Sequence, residues 1–420
     1  MLRELETESL VLPRYTDCCI SNLPATILHS YGVKYGEHLL PWKISERIKG
    51  YGKIVVLVMD GLPYDLVLSI FPVNHITGDL FPLTSVFPST TASALTTFHT
   101  GLTPQEHGIP EWHVYFEELD MMFEALPFRP ANEEDRNRFL KMRVKPKELF
   151  GWQTVYQKLK KKGVKSFTFT RRRWLGEAYA REALKGSIPV GYISLADLVV
   201  KLRKILTENL DLAYIWIYWN LLDSVSHVYG FLTEEAKTEV FLFLSALERE
   251  VIGKLKKSLK DTLFLLTSDH GQITVNPMNT IYLSAFQKLR SNLRLRKDGR
   301  RLLPGGSPRD LFVYIKEDKV EEVAIFLEEK LRDDALVLRS EEAIKKGLFG
   351  KGKVRRGFKS RIGDLVIIPV RDRLVWYRRR KGDDLRDPGY HGGLSREEII
   401  IPLLVMEVSS FKSLIYPNEA

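Results

Sequence analysis

Four short runs of apolar, mostly β-branched or aromatic residues constrain this chain more than any other feature: Ile54 to Met59, Ser166 to Thr170, Ala213 to Trp219 and Thr262 to Ser268. Each is too short for a buried helix and suits a strand covered on both faces. Apolar residues at helical spacing recur between them, in Ser93 to His99, Glu148 to Lys162, Leu195 to Glu208 and Glu234 to Leu259. Such alternation predicts an α/β fold, a doubly wound and mostly parallel sheet flanked by helices.

After Gly271 the pattern changes. A basic, glycine-containing stretch reaches Pro308, followed by strand-like Leu311 to Ile315, helix-like Val320 to Arg332 and strand-like Leu365 to Pro369. The chain is therefore expected to divide into a core over 1–275 and 387–420 and a smaller α+β cap inserted at 276–386. Ile399 to Met406 returns to the main sheet, and Pro402 within it, which has no N–H for the ladder, argues for the sheet edge.

Composition removes several classes. With 44% hydrophobic and 28% charged residues the 420-residue chain is globular in character, with no low-complexity tract or repeat. The longest apolar runs cannot span a bilayer. The start, Met1-Leu-Arg-Glu-Leu-Glu-Thr-Glu, places acid where a secretory signal has base, so a cytoplasmic setting is expected. The only two cysteines, Cys18 and Cys19, are neighbours, which leaves no disulfide framework and no cysteine zinc site.

Net charge is +10, gathered in Arg290 to Arg301, Lys345 to Arg361 and Arg378 to Lys381. That balance favours an anionic partner without choosing between nucleic acid and a small phosphorylated substrate, and any one run is more often a solvated face. No aromatic residues interleave with these runs in an RNA-binding pattern.

The chemistry-bearing residues stand at strand ends, where open α/β sheets bind ligands. Asp60-Gly61 follows the first strand, Asp223 and His227 lie one helical turn apart after the third, and Asp269-His270-Gly271 follows the fourth. A single strand-end carboxylate is commonly a turn or cap residue, but three such sites with imidazoles are poorly explained by chance. Between the first two lies Phe87-Pro-Ser-Thr-Thr, where Thr90 and Thr91 open a helix that ends near Gly101. A threonine there can cap the helix, and the same helix start can bind phosphate.

This ordered set resembles the alkaline phosphatase superfamily and is most similar to its type I phosphodiesterase/nucleotide pyrophosphatase branch. The matching elements are Asp60-Gly61, Thr100-Gly101-Leu with Glu106-His107-Gly108, Asp223 with His227 and Gly230, Ser268-Asp269-His270-Gly271, and His391-Gly392-Gly393. The resemblance implies two divalent metal ions, zinc with manganese as the alternative, held by Asp60, Asp269 and His270 and by Asp223, His227 and His391. It implies Thr91 as nucleophile and metal neighbour, with Thr90 the alternative one residue away. The implied reaction is hydrolysis of a phosphodiester or nucleotide pyrophosphate bond through a phosphothreonine that water then cleaves.

Where the branch has a phosphate-binding asparagine after its His-Gly element, this chain has Glu111-Trp112, so another group, such as one of Arg171-Arg172-Arg173, must hold the nonbridging oxygen. An arginine clamp would suit monoesters and an apolar rim with Trp112 diesters. A phosphomonoesterase or phosphomutase on the same cage, and a non-catalytic nucleic-acid or anion binder, are the competing readings. No cysteine has a sulfatase context. His29, His38, His75 and His113 match nothing and are read as structural or surface residues, and the residues selecting the leaving group are expected to come from the cap.

Overall fold

The computed structural model describes residues 10–408 except 37, 72–77, 143, 145, 256, 257 and 381. The N-terminal segment, His75 and Lys381 lie outside the described residues. The centre is a seven-stranded sheet in the order Asp79–Thr84, Ile400–Glu407, Thr262–Thr267, Lys53–Met59, Ala213–Trp219, Lys165–Arg171, Ile188–Tyr192. All four apolar runs are strands in it. Lys53–Met59 pairs in parallel with both neighbours, and only Ile400–Glu407 runs against the rest.

Alternation along the central strand builds the two helical layers. Val55, Leu57 and Met59 face a cluster containing Leu198 and Leu202 of helix Leu195–Leu206 and Val240 and Leu244 of helix Glu234–Leu247. Ile54, Val56 and Val58 face the other way, toward Leu23 and Ile27 of helix Asn22–Ser30 and Leu95 and Phe98 of helix Thr91–Thr100. Period-two alternation in a strand buried on both sides is what makes this sheet doubly wound.

Three local expectations are corrected. Ile400–Glu407 is an inner strand, not an edge. Pro402 fits there because it stands opposite Pro82, beyond the last rung shared with Thr262–Thr267, and its carbonyl accepts the Thr267 hydroxyl at 2.8 Å. The single helix expected over Glu148 to Lys162 is two, Pro146–Phe150 and Val155–Lys160, broken at Gly151 with φ +56° and restarted by a Thr154/Gln157 capping box. Helix Glu234–Leu247 gives way to a wider turn at Glu248–Ile252 before its expected end.

Within 276–386 lies a four-stranded sheet ordered Gly305–Ser307, Asp310–Val313, Leu365–Pro369, Ala335–Arg339. Leu311, Val313, Leu365 and Ile367 cover helix Val320–Lys330 through Val323 and Leu327. Phe312, Val366 and Ile368 face the remainder of the molecule, in one cluster with Leu10, Leu12, Phe87, Tyr115 and Leu394. A three-stranded sheet over His113–Phe116, Met121–Glu124 and Arg129–Pro130, which the strand and helix pattern does not signal, packs against the four-stranded sheet through Tyr115 and Met122.

Part of the basic runs is used inside the fold, while Arg301, Lys351, Lys353, Arg356 and Arg380 are exposed. Arg294 pairs with Asp364, Arg296 with Asp135, and Arg361 donates to Gly108 O at 2.6 Å. No helix among the described residues is long and apolar enough to cross a membrane.

Candidate active site

Three adjacent strands, Thr262–Thr267, Lys53–Met59 and Ala213–Trp219, end side by side and release Asp269, Asp60 and the helix Leu221–Tyr229. That helix carries Asp223 and, one turn on, His227. Gly61 permits the close approach: it adopts φ +71°, and a Cβ on it would lie 3.0 Å from Asp223 Cβ.

His391 arrives from the other end of the chain. The short pairing of Ile273–Thr274 with Gly389–Tyr390 brings its loop over the strand ends. The loop then lies against His270-Gly271, with Gly271 N–H donating to Glu398 O at 2.8 Å. A side chain at Gly271 would meet Glu397 O at 1.9 Å. Ser89 ties the threonine loop to the same segment, its hydroxyl donating to Gly393 O at 2.7 Å.

Asp60 and Asp269 each have one oxygen held and one left bare. Asp269 Oδ1 accepts the N–H groups of Gly61 at 3.2 Å and His270 at 3.0 Å. Asp60 Oδ2 accepts the Tyr218 hydroxyl. Asp60 Oδ1 and Asp269 Oδ2 are buried and take no hydrogen bond among the described residues; they stand 3.3 and 3.6 Å from His270 Nε2. Asp223 Oδ1 faces His227 Nε2 at 3.3 Å and His391 Nε2 at 3.7 Å, and accepts Gln272 Nε2 at 3.0 Å.

All three imidazoles are turned the same way. Backbone carbonyls hold Nδ1 of His270 (Gly271 O, 2.8 Å), His227 (Gly389 O, 2.7 Å) and His391 (Ser89 O, 3.3 Å), which leaves each Nε2 aimed inward. The donor set fits divalent metal, with His270 common to two convergent groups. Asp60, Asp269 and His270 form one convergent group, and Asp223, His270 and His391 a second, with His227 joining the second through its contact to Asp223.

Electrostatics agree with that fit. Burial and the charges of Asp269 and Asp223 push Asp60 far above the carboxylate range. Burial also raises Asp269, to about 6, with Asp223 adding to it. Burial opposes the charged forms of Asp223 and His227, but their ion pair outweighs it, holding Asp223 low and His227 up at about 9. Burial lowers His270, and lowers His391 to about 3 with His270 beside it. Carboxylates this close and this dry need positive charge among them.

Thr90 and Thr91 separate here. Thr90 is the extended residue before helix Thr91–Thr100, and its hydroxyl makes no cap bond. Thr91 is the first helical residue, and its Oγ1 lies 3.1 Å from His270 Nε2.

A cavity of about 640 Å³ opens beside Asp60, Thr91 and Asp223, with Trp112, Trp174 and Tyr179 on its walls. No described residue of 276–386 lines it, which corrects the expectation that the cap supplies the leaving-group pocket. The four-stranded sheet is held instead against the His391 loop, where Arg309 and Glu398, both fully buried, form a bidentate pair at 2.9 and 2.6 Å. Most of the pocket wall comes from the segments around 112–129 and 170–184, and the rest from Asp60, 91–99 and 216–223.

Of the arginine triplet, Arg173 lines the cavity, Arg172 is exposed, and Arg171 has another task. Its Nε donates to Asn220 Oδ1 at 2.9 Å and its Nη1 to Ile193 O at 3.1 Å, while its guanidinium lies over the Trp219 ring. The amide of Asn220 is thereby oriented, with its NH2 turned from Arg171 on a residue that lines the cavity. Glu111 does not line it. Its carboxylate folds back onto the N–H groups of Trp112 and His113, and burial pushes it up to about 7. Asn220, Tyr218, Gln272 and the Arg309–Glu398 pair escaped the sequence reading, although a strand-end position three residues before Asp223 was a usable signal for Asn220.

The sequence profile of the type I phosphodiesterase / nucleotide pyrophosphatase family matches residues 54–393. No curated protein sequence matches the chain. Among solved structures, murine ectonucleotide pyrophosphatase / phosphodiesterase 5 is similar at TM-score 0.61 and 19% identity, over 84% of this chain and 88% of that one; an inactive threonine-to-alanine form of it is solved in complex with AMP. The human counterpart has TM-score 0.62 and 18% identity over 84% and 87%. Phosphonoacetate hydrolase from Sinorhizobium meliloti 1021, in complex with phosphonoformate, has TM-score 0.59 and 16% identity over 86% and 94%.

Proposed function

Because this chain belongs to the type I phosphodiesterase / nucleotide pyrophosphatase family, we propose that it is a two-metal hydrolase cleaving phosphodiester or nucleotide pyrophosphate bonds through a covalent phosphothreonine on Thr91. The carrying observation is the convergence of three inward Nε2 atoms and two bare carboxylate oxygens beside the Thr91 hydroxyl. Nitrogen and oxygen donors without thiolate suit zinc, and manganese next. Such cations, when bound, supply charge that favours the alkoxide form of the attacking oxygen and neutralises the phosphoryl group.

The chain's own residues would then act in sequence. Thr91 Oγ1 forms a bond to phosphorus as the ester or anhydride oxygen opposite leaves with its electron pair. The amino end of helix Thr91–Thr100 favours negative charge at that place. Asn220, held by Arg171, is the donor for the nonbridging oxygen in the role that asparagine fills elsewhere in the family's sequence. Water cleaves the phosphothreonine and restores Thr91.

The aromatic walls support a nucleotide-bearing substrate, since Trp112 and Trp174 offer faces for a base. The AMP complex of the murine relative is consistent with this. Arg173, on the same cavity, is the observation favouring a monoester, whose extra charge it would meet. We take 276–386 as an inserted unit serving the His391 loop, and the two free thiols, Cys18 and Cys19, as support for a cytoplasmic setting.

The test compares bis-p-nitrophenyl phosphate with p-nitrophenyl phosphate, in zinc or manganese, for wild type and Thr91→Ala. Diester turnover should dominate and fall about a thousandfold or more in the variant. A monoester preference would move the assignment to a phosphatase or mutase, and full activity in the variant would remove Thr91 as nucleophile.

A further inference from the structure

A second cavity, of about 780 Å³, lies apart from the first and shares no lining residue with it. Trp112 lines the active-site cavity and the next residue, His113, lines this one, so the two open on opposite sides of one strand start. Among the described residues six arginines line it, against the two acids Glu133 and Asp383. Arg136, Arg296 and Arg300 are paired, with Glu124, with Asp135, and with Asp298 and Glu134. Arg301, Arg379 and Arg380 have no carboxylate within ion-pair distance among the described residues.

Arg379 is the most telling of these. It is half-buried, so lost hydration holds its guanidinium below the ordinary value, and its one side-chain hydrogen bond among the described residues is from Nη2 to Pro304 O at 3.1 Å. The charges of Asp383, Glu111 and Glu124 reach its guanidinium without an ion pair, and Asp383 Oδ2 accepts its backbone N–H at 2.9 Å. Two other wall residues carry buried donors with no acceptor among the described residues, Trp376 Nε1 and Arg296 Nε. A concave space of this size with unsatisfied donors and guanidinium groups outside any ion pair calls for an acceptor-rich anion. Guanidinium geometry matches phosphate two bonds at a time.

We infer that this cavity is a second binding site, separate from the hydrolytic centre, for a small multiply charged phosphate-bearing molecule, held by Arg301, Arg379 and Arg380. The site is a concavity edged by Glu133 and Asp383, which suits a small molecule better than a nucleic-acid backbone.

The test is calorimetric titration of metal-loaded Thr91→Ala protein with inorganic phosphate. Three forms are compared: that protein alone, the same protein carrying Arg301→Glu and Arg380→Glu, and the same protein carrying Arg379→Met. Arg301 and Arg380 are exposed, so the double change should leave folding intact even if replacing Arg379 does not. The parent should bind phosphate at a site whose affinity drops about tenfold or more in the double variant. In the wild-type background the double variant should hydrolyse bis-p-nitrophenyl phosphate within about twofold of normal, since the site touches no reacting group. Phosphate binding unchanged by both sets of substitutions overturns the inference. So does binding of a single-stranded oligonucleotide, but not of phosphate, that the same substitutions abolish. Absence of hydrolysis in wild type alongside an arginine-dependent phosphate site would defeat the hydrolase reading and leave this one standing.

Discussion

At the scale of the residue, the site depends on how atoms are shared out. Each imidazole gives Nδ1 to a carbonyl and each buried carboxylate gives one oxygen to a donor, so what remains free points to one place. Asn220 follows the same logic, because Arg171 occupies Oδ1 and frees the NH2. Replacing Asn220 by Asp keeps the size and removes the donors. Its kcat for the diester should fall by about 10²–10³-fold, with KM changed far less, as for loss of one preorganised donor to a developing charge. Steady-state kinetics of Asn220→Asp check this, and an unaltered kcat would exclude Asn220 from contact with the phosphoryl oxygen. Thr90 and Thr91 were indistinguishable by type in the sequence; helix phase separates them, since the first helical residue faces His270 and its predecessor does not.

At the scale of the element, the His391 loop owes its position to a pair that no local pattern shows. Arg309 reaches Glu398 across 89 residues with two hydrogen bonds, and gives Nη1 to Arg371 O and Arg373 O. Glu398 also accepts Gly393 N–H at 2.9 Å and Ser395 N–H at 3.1 Å. Burial pushes Glu398 up, but Arg309 and these donors together hold it below the usual carboxylate range. A depressed folded pKa means the contribution is complete above the unfolded value, about 4.3, and is lost as pH falls through the lower folded value. Glu398→Gln should therefore cost about 3–5 kcal/mol at neutral pH by leaving Arg309 buried and unpaired. Urea midpoints of the two proteins should converge as the solution is acidified below about pH 4. A gap that stays constant with acid would mean that the carboxylate is not the source of the stability.

At the scale of the whole molecule, the strand ends gather three acids and three imidazoles that cannot settle their charges among themselves. Divalent metal at about a hundred times its Kd should stabilise the fold by about 2.7 kcal/mol, and a chelator should lower the melting temperature of wild type more than that of Asp60→Asn. Equal responses of the two proteins would show that metal binds elsewhere. Much of this was legible in advance. Strand and helix alternation gave the layers, and Asp60, Asp223, Asp269 and His270 were visible because strand ends are marked by the apolar runs before them. What sequence determined by itself was therefore the local kind: period, strand ends and the carboxylates and imidazoles they carry. Only tertiary structure decided that Pro402 sits inside the sheet, that most of the cavity wall comes from 112–129 and 170–184, that Asn220 faces the cavity, and that Arg309 and Glu398 meet. Each of these depends on pairing between segments tens to hundreds of residues apart, and the hydrophobic periodicity that marks an element carries no record of which distant element it will touch.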